Sequence, residues 1–266
     1  MNYTKINLKK GFIEKYDFGN IKLHAYQTND LMKDESYILE NDKNILLLEF
    51  PAFYDNLEEF QEYVYSINKN IIGKIFSDHP NGGTIFTDIK GYASEGTIKS
   101  MENGTIKGLV TNFEKAFEGT FAKEFHKITD VLKDDTINIG EFILNITYHE
   151  ENIEIEFPQI NCIYTHMLGH NCHSIVAGKS HAINMVKQLE NYKEKGYNLI
   201  LSSHHTPETL TDVDTKIHYL EDLQNIAQNT NNQKDFKEQM TNKFKNYDGL
   251  NYLDMTANFF FPEKNK

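Results

Sequence analysis

The chain has 266 residues, 39% hydrophobic and 25% charged, with 18 Phe and 15 Tyr, an ordinary globular composition with ample material for a core. A formal net charge of −12 argues against nucleic acid or an anionic membrane surface as a partner, since both recruit basic patches. All 27 basic residues are lysine, so the planar guanidinium fork that clamps phosphates is missing and small, weakly charged substrates fit better.

No Pro-, Gly- or Ser-rich linker divides the sequence, which predicts a single domain over residues 1–266 with a helical and aromatic extension from about residue 208. The first twelve residues carry Lys5, Lys9 and Lys10 but no apolar signal region, and nowhere do about 18 apolar residues run together. A cytoplasmic, soluble protein is expected. Cys162 and Cys172 are too sparse for a disulfide framework and read as reduced thiols.

In chain order, residues 21–26, 37–39 and 44–50 predict strands, and Ile45-Leu46-Leu47-Leu48 is apolar on both faces, as in a buried central strand. Asp55 reads as a helix N-cap with Glu58 three residues on, followed by Leu57, Phe60, Val64 and Ile67 at helical spacing. Residues 71–76 form another apolar strand, closed by Ser77-Asp78-His79-Pro80-Asn81-Gly82-Gly83, where Pro80 and the paired glycines demand a turn. Residues 93–117 have weak helical periodicity. Residues 136–147 and 153–157 alternate like paired antiparallel strands.

Residues 160–164 and 174–177 read as short strands bracketing Thr165-His166-Met167-Leu168-Gly169-His170-Asn171-Cys172-His173. A helix follows, with Ala182, Met185, Val186, Leu189 and Tyr192 on one face and Gly196 as its stop. Leu199-Ile200-Leu201 leads into Ser202-Ser203-His204-His205-Thr206-Pro207. Beyond Glu208, one amphipathic helix carries Leu210, Val213, Ile217 and Leu220, and another Phe236, Met240 and Phe244. The aromatic tail, residues 251–262, is expected to dock on the body of the protein.

Six of the eleven histidines fall in three loops after strand-like runs: His79; His166, His170 and His173; His204 and His205. Loops at strand ends are where a rigid scaffold presents ligands, and neutral imidazole is the commonest ligand for zinc, copper, iron and nickel. The pattern predicts one metal site built from distant segments. His24, His126, His149, His181 and His218 read as ordinary surface or hydrogen-bonded core histidines. Cys172 is either a soft thiolate ligand beside His170 and His173 or a small buried apolar residue. Asp78 is a base, a ligand or a turn residue.

These features, in this order, resemble the metallo-β-lactamase superfamily: an apolar strand ending in an acid, a helix, a strand closing in Ser77-Asp78-His79-Pro80-Asn81-Gly82-Gly83, then Gly169-His170, then Ser203-His204-His205-Thr206-Pro207. The similarity spans residues 21–220. It implies an αββα sandwich, two β-sheets packed face to face between outer helices, with the site along one edge. The family's His-x-His-x-Asp-His motif is only partly kept. Ser77 stands at the first histidine, His79 at the second, Asn81 at the aspartate and Gly82 at the third histidine. By the same overlay His170 is the glycine-linked ligand and His205 the late one, with His204 able to substitute one register away.

The aspartate that bridges two metals in many members is not evident, Ala177-Gly178-Lys179 standing in its place, so the resemblance implies a reduced, mononuclear centre. His79, His170 and His205, helped by His166, His173 or His204, would hold one divalent transition metal, zinc foremost, with iron, nickel or copper as alternatives. A metal-bound hydroxide would then attack a small ester, lactone, thioester or amide, with Asp78 as proton acceptor. The alternative is a catalytically silent member of the fold that binds a metal or small ligand. Self-association through the Phe259-Phe260-Phe261 tail is open on either reading.

Overall fold

A computed structural model describes residues 2–262. The chain divides into two compact units, residues 1–167 with 198–207 and residues 168–197 with 208–266, so the segment from 168 to 197 groups with the C-terminal region rather than with the strands on either side of it.

The first unit is built on two mixed sheets. One has eight strands in sequence order: β1 (Thr4–Asn7), β2 (Phe12–Asp17), β3 (Lys22–Gln27), β4 (Glu35–Glu40), β5 (Asn44–Leu48), β6 (Asn70–Phe76), β7 (Gly91–Ser94) and β8 (Asp130–Leu132). It is antiparallel from β1 to β5 and parallel from β5 to β8. The other holds β9 (Thr136–Ile139), β10 (Phe142–Tyr148), β11 (Ile153–Phe157), β12 (Cys162–Thr165), β13 (Leu199–Ser202) and β14 (His205–Glu208), with β12 and β13 parallel.

The double-sided apolar run in β5 does what it predicts. Leu46 and Leu48 pack into the core between the sheets with Tyr37, Phe142, Ile155 and Tyr164. Ile45 and Leu47 face the other way, against Leu57, Phe60 and Val64 of α1 (Tyr54–Ser66). Each such side chain contributes about 1.5–3 kcal/mol on burial. Helices α2 (Glu95–Asn103) and α3 (Thr105–Ala116) complete this unit. The second unit contains α4 (Lys179–Lys195), α5 (Leu210–Asn229), α6 (Gln233–Lys243) and α7 (Leu250–Phe260). The fold class is the αββα sandwich that the resemblance implies. Among the described residues, no helix is long and apolar enough to cross a membrane.

Three local expectations are corrected. Helix α1 starts at Tyr54 with Phe53 as N-cap, and Asp55 lies inside the first turn, its carboxylate taken by Lys10 at 2.7 Å. Phe53 bridges Phe121 in backbone pairing and so fixes where the helix begins. Residues 174–177 are not a strand: the Val176 amide donates to Thr256 Oγ1 (2.7 Å), which itself donates to the Ser174 carbonyl (2.6 Å), so side chains satisfy backbone that a ladder would otherwise pair. The histidine-rich segment therefore joins a strand to a helix. Strands β1, β2, β7, β8 and β14 are not signalled by alternation, and residues 93–94, read as the start of a weakly helical region, belong to β7; β1 is mostly exposed, so it lacks an apolar stripe.

Helix α4 does end at Gly196, whose φ of 65° is the left-handed stop expected of glycine. The tail docks through Leu253 and Ala257, both buried, and through Phe260 stacked on Phe236, while Phe259 remains exposed. Both cysteines are buried and neither forms a disulfide.

Among the described residues, Lys74 and Lys216 are buried lysines bonded to main-chain carbonyls. Lys74 donates to the Phe86 carbonyl (2.9 Å) and meets His126 Nδ1 (3.1 Å), and Lys216 donates to the carbonyls of Gly169 (2.9 Å) and Cys172 (2.8 Å). Burial pushes each ammonium down to about 8 from 10.5. Between those values the unfolded chain binds more protons than the native one, so stability rises with pH. Melting temperature is expected to climb from pH 8 to pH 9.5, before unfolded tyrosines begin to ionise. Lys74→Met should flatten the climb in a calorimetric pH series; a flat wild-type profile would contradict it.

Candidate metal centre

Three strands of the first unit end in histidine-bearing loops. His79 follows β6, His166 directly follows β12, and His204 lies two residues beyond β13. Parallel pairing of Thr165 with Ser202 sets the last two side by side, and the Ser203 amide donates to the His166 carbonyl at 2.9 Å. Ligands gathered at the carboxyl ends of strands are what an open α/β sheet presents to its crevice.

The three rings converge. Centroids of His79 and His204 are 4.7 Å apart, His166 and His204 5.2 Å, and His79 and His166 5.7 Å. One nitrogen from each lies within 4.8 Å of the others. The site is open to solvent on one side, the His166 side chain being 44% exposed.

Buried carboxylates hold this arrangement. Glu49, just past β5, is fully buried with a φ of 56°, and accepts the backbone amides of Ser77, Asp78 (3.1 Å) and His79. It thereby shapes the turn that carries His79. Burial, and then the Asp78 charge, push the Glu49 carboxyl up, opposed by those three amides.

Asp78 is held from several sides. Its Oδ2 accepts the Ser77 hydroxyl (2.7 Å) and faces the Tyr164 hydroxyl at 3.5 Å; its Oδ1 accepts from Asn152 (3.1 Å) and lies 3.5 Å from His166 Nδ1. Burial alone would raise this carboxyl, but His166 and the Ser77 hydroxyl hold it below the usual range. Reciprocally, burial lowers His166 and Asp78 more than restores it, for a net rise. His79 is pushed down to about 4 by burial and by His204. Asp34, also fully buried, has Oδ1 3.2 Å from His204 Nδ1.

The remaining predicted residues have other surroundings. His205, at the start of β14, points Nδ1 to the Thr206 carbonyl at 2.9 Å. In the second unit, His170 Nδ1 is 2.8 Å from Glu208 Oε1 and 3.5 Å from Asp212. Hydrogen bonding to Glu208 outweighs burial and raises its pKa. Glu208 also accepts the amides of Gly169 (3.0 Å) and His170 (2.7 Å). His173 is fully buried, with Nδ1 3.1 Å from the Tyr219 hydroxyl and its ring against Tyr247. Asn81 is buried and its Nδ2 has no hydrogen-bond partner. Among histidines read as structural, His24 bridges Tyr63 (2.8 Å) and Glu40 (2.7 Å), and His126 stacks on Phe76.

Sequence reading singled out the three converging histidines but not their grouping, and missed Asp34 altogether. Glu49 was visible only as an acid closing an apolar strand. The donor set fits a zinc-type ion: three imidazoles are the ligands of many catalytic zinc sites, and two of the rings have Nδ1 facing a carboxylate, as metal-bound histidines commonly do.

No protein-family model and no curated protein sequence matches the chain. Solved structures do. A double mutant of the sec-alkyl sulfatase PisA1 superposes with a TM-score of 0.66 at 14% identity over 91% of this chain and 49% of its own. The stereoselective inverting sec-alkylsulfatase Pisa1 from Pseudomonas sp. gives 0.62 at 15% identity over 88% and 48%. The DIM-1 metallo-β-lactamase exposed to ceftazidime gives 0.52 at 15% identity over 82% of this chain and 99% of its own. The chain thus spans about half the length of the alkylsulfatases and nearly all of the lactamase.

Proposed function

The chain has the metallo-β-lactamase fold, and on that premise we propose that it is a metal-dependent hydrolase of a small ester, lactone, thioester or amide, working at a mononuclear centre held by His79, His166 and His204. The observation that carries this reading is the convergence of three imidazole nitrogens within 4.8 Å at the ends of three strands. Zinc is the first choice of ion, with iron, nickel or copper as alternatives. A zinc ion on three protein ligands keeps a fourth position and lowers the pKa of a water there to about 7.

The protein's own groups do the positioning. Glu49 fixes the His79 turn, and Asp78, whose two oxygens already accept hydrogen bonds, holds Nδ1 of His166 rather than taking a proton from substrate. Names of similar structures, alkylsulfatase and β-lactamase, both denote hydrolysis and support that reaction class. Buried cysteines outside any disulfide fit work in a reducing cytoplasm.

A catalytically silent metal-binding protein is the second reading, favoured by the buried, partnerless Asn81 amide where the family motif has an aspartate. Elemental analysis of untagged protein purified without chelator, beside His79→Ala and His204→Ala, tests the site. About one transition metal per chain, lost in both variants, is the expected result. Metal-free native protein that also stays empty after zinc reconstitution would refute the centre. A metal bound without any esterase, lactonase, thioesterase or amidase turnover would favour the second reading.

A further inference from the structure

Asp34 closes the connection from Thr28 that joins β3 to β4, and it is tied down on both sides. Its carbonyl accepts the Thr28 amide and hydroxyl, each at 3.1 Å, and its Oδ2 accepts the Ala52 amide at 3.1 Å. Its other carboxylate oxygen, Oδ1, is buried and makes no well-directed hydrogen bond, yet lies 3.2 Å from His204 Nδ1. The Met32 carbonyl, from the same connection, is also 3.2 Å from that nitrogen. A buried carboxylate oxygen left without a partner is costly, so its placement against a metal-binding ring calls for a reason.

We propose that Asp34 is a positioning residue of the metal centre, holding the His204 ring in the Nδ1–H tautomer so that Nε2 is the nitrogen offered to the divalent cation; this rests on the metal-site reading above. Nδ1 faces only acceptors, a carboxylate and a carbonyl, and so carries the hydrogen. The lone pair is then on Nε2, the form in which imidazole ligates. The charges also match. Three neutral imidazoles leave a divalent ion uncompensated, and Asp34 beside His204 and Asp78 beside His166 supply two negative charges one ring away.

Asp30 provides the control. It lies in the same connection, but its Oδ1 caps the Met32 and Lys33 amides in a local turn, a bond that asparagine keeps.

The test measures zinc affinity by competition with a chromophoric chelator for wild type, Asp34→Asn and Asp30→Asn, together with imidazole nitrogen NMR of metal-free wild type. Asp34→Asn is expected to weaken zinc by about tenfold to a hundredfold, the usual effect of losing such a partner, and Asp30→Asn by less than about twofold. Metal-free wild type should show His204 as the Nδ1–H tautomer, a readout that needs no variant to fold. Unchanged affinity in a folded Asp34→Asn protein, or an Nε2–H tautomer in wild type, overturns the proposal. Failure of wild type to take up zinc defeats the metal-site reading instead; because the Met32 carbonyl alone also favours Nδ1–H, a shift toward Nε2–H in metal-free Asp34→Asn then supports the role of Asp34 and an unchanged tautomer overturns it.

Discussion

Replacing Glu49 with alanine is expected to cost about 3–5 kcal/mol of folding stability and to empty the metal centre as well. The carboxylate accepts three consecutive amides, of Ser77, Asp78 and His79, in a place with no exposure to water. Each amide orphaned in a buried site costs about 1–3 kcal/mol, and some of that is recovered by relaxation and by no longer burying a carboxylate. Against a total stability of about 5–15 kcal/mol for a domain, the loss is large. Glu49→Gln should fall between wild type and Glu49→Ala, because one carboxamide oxygen can still accept while its NH2 opposes an amide donor. Denaturant unfolding of the three proteins measures this. A loss below about 1 kcal/mol for Glu49→Ala would mean that the turn does not depend on the carboxylate. Glycine is no remedy, although it would relieve the left-handed backbone, since it removes the acceptor too.

The same turn illustrates what a sequence discloses. The unbroken apolar run Ile45-Leu46-Leu47-Leu48, the helical spacing of Leu57, Phe60 and Val64, and the glycine after α4 are local signals, and the elements they predict exist. That histidines stand beyond strands β6, β12 and β13 is equally local. Which of them share a site is not, because it depends on the pairing of Thr165 with Ser202, a contact between residues 37 positions apart that no spacing encodes. One register step separates His204, facing His79 and His166, from His205, facing its own neighbour's carbonyl. Asp34 gave no signal since an acid in a polar connection is ordinarily a turn residue, as Asp30 is. Likewise residues 174–177 are apolar enough for a strand, but their hydrogen bonds go to Thr256 and Tyr219, which arrive from far along the chain.

Hydrolysis should depend steeply on each of the three rings. Metal assistance supplies several kcal/mol of transition-state stabilisation, and each 1.36 kcal/mol is a factor of ten, so His79→Ala, His166→Ala and His204→Ala are each expected to lower turnover of a responsive p-nitrophenyl ester about 10³-fold or more. His218→Ala, with its ring on a helix and bonded to the Asp214 carbonyl, should leave turnover unchanged. Retention of more than a tenth of wild-type turnover in any of the first three would remove that residue from the centre. The pH dependence has a definite sign. Ligation needs unprotonated imidazole, so zinc and a proton compete for each ring. His79, pushed down to about 4, stays available in moderately acidic solution, whereas His166, raised by Asp78 above the usual 6.5, holds its proton well before His79 as the pH falls. Zinc affinity should therefore decline about tenfold per pH unit below the His166 titration, and Asp78→Asn, which removes the charge that raises His166, should move the onset of that decline to lower pH. A decline beginning only near pH 4 in wild type would show that His166 does not bind the ion.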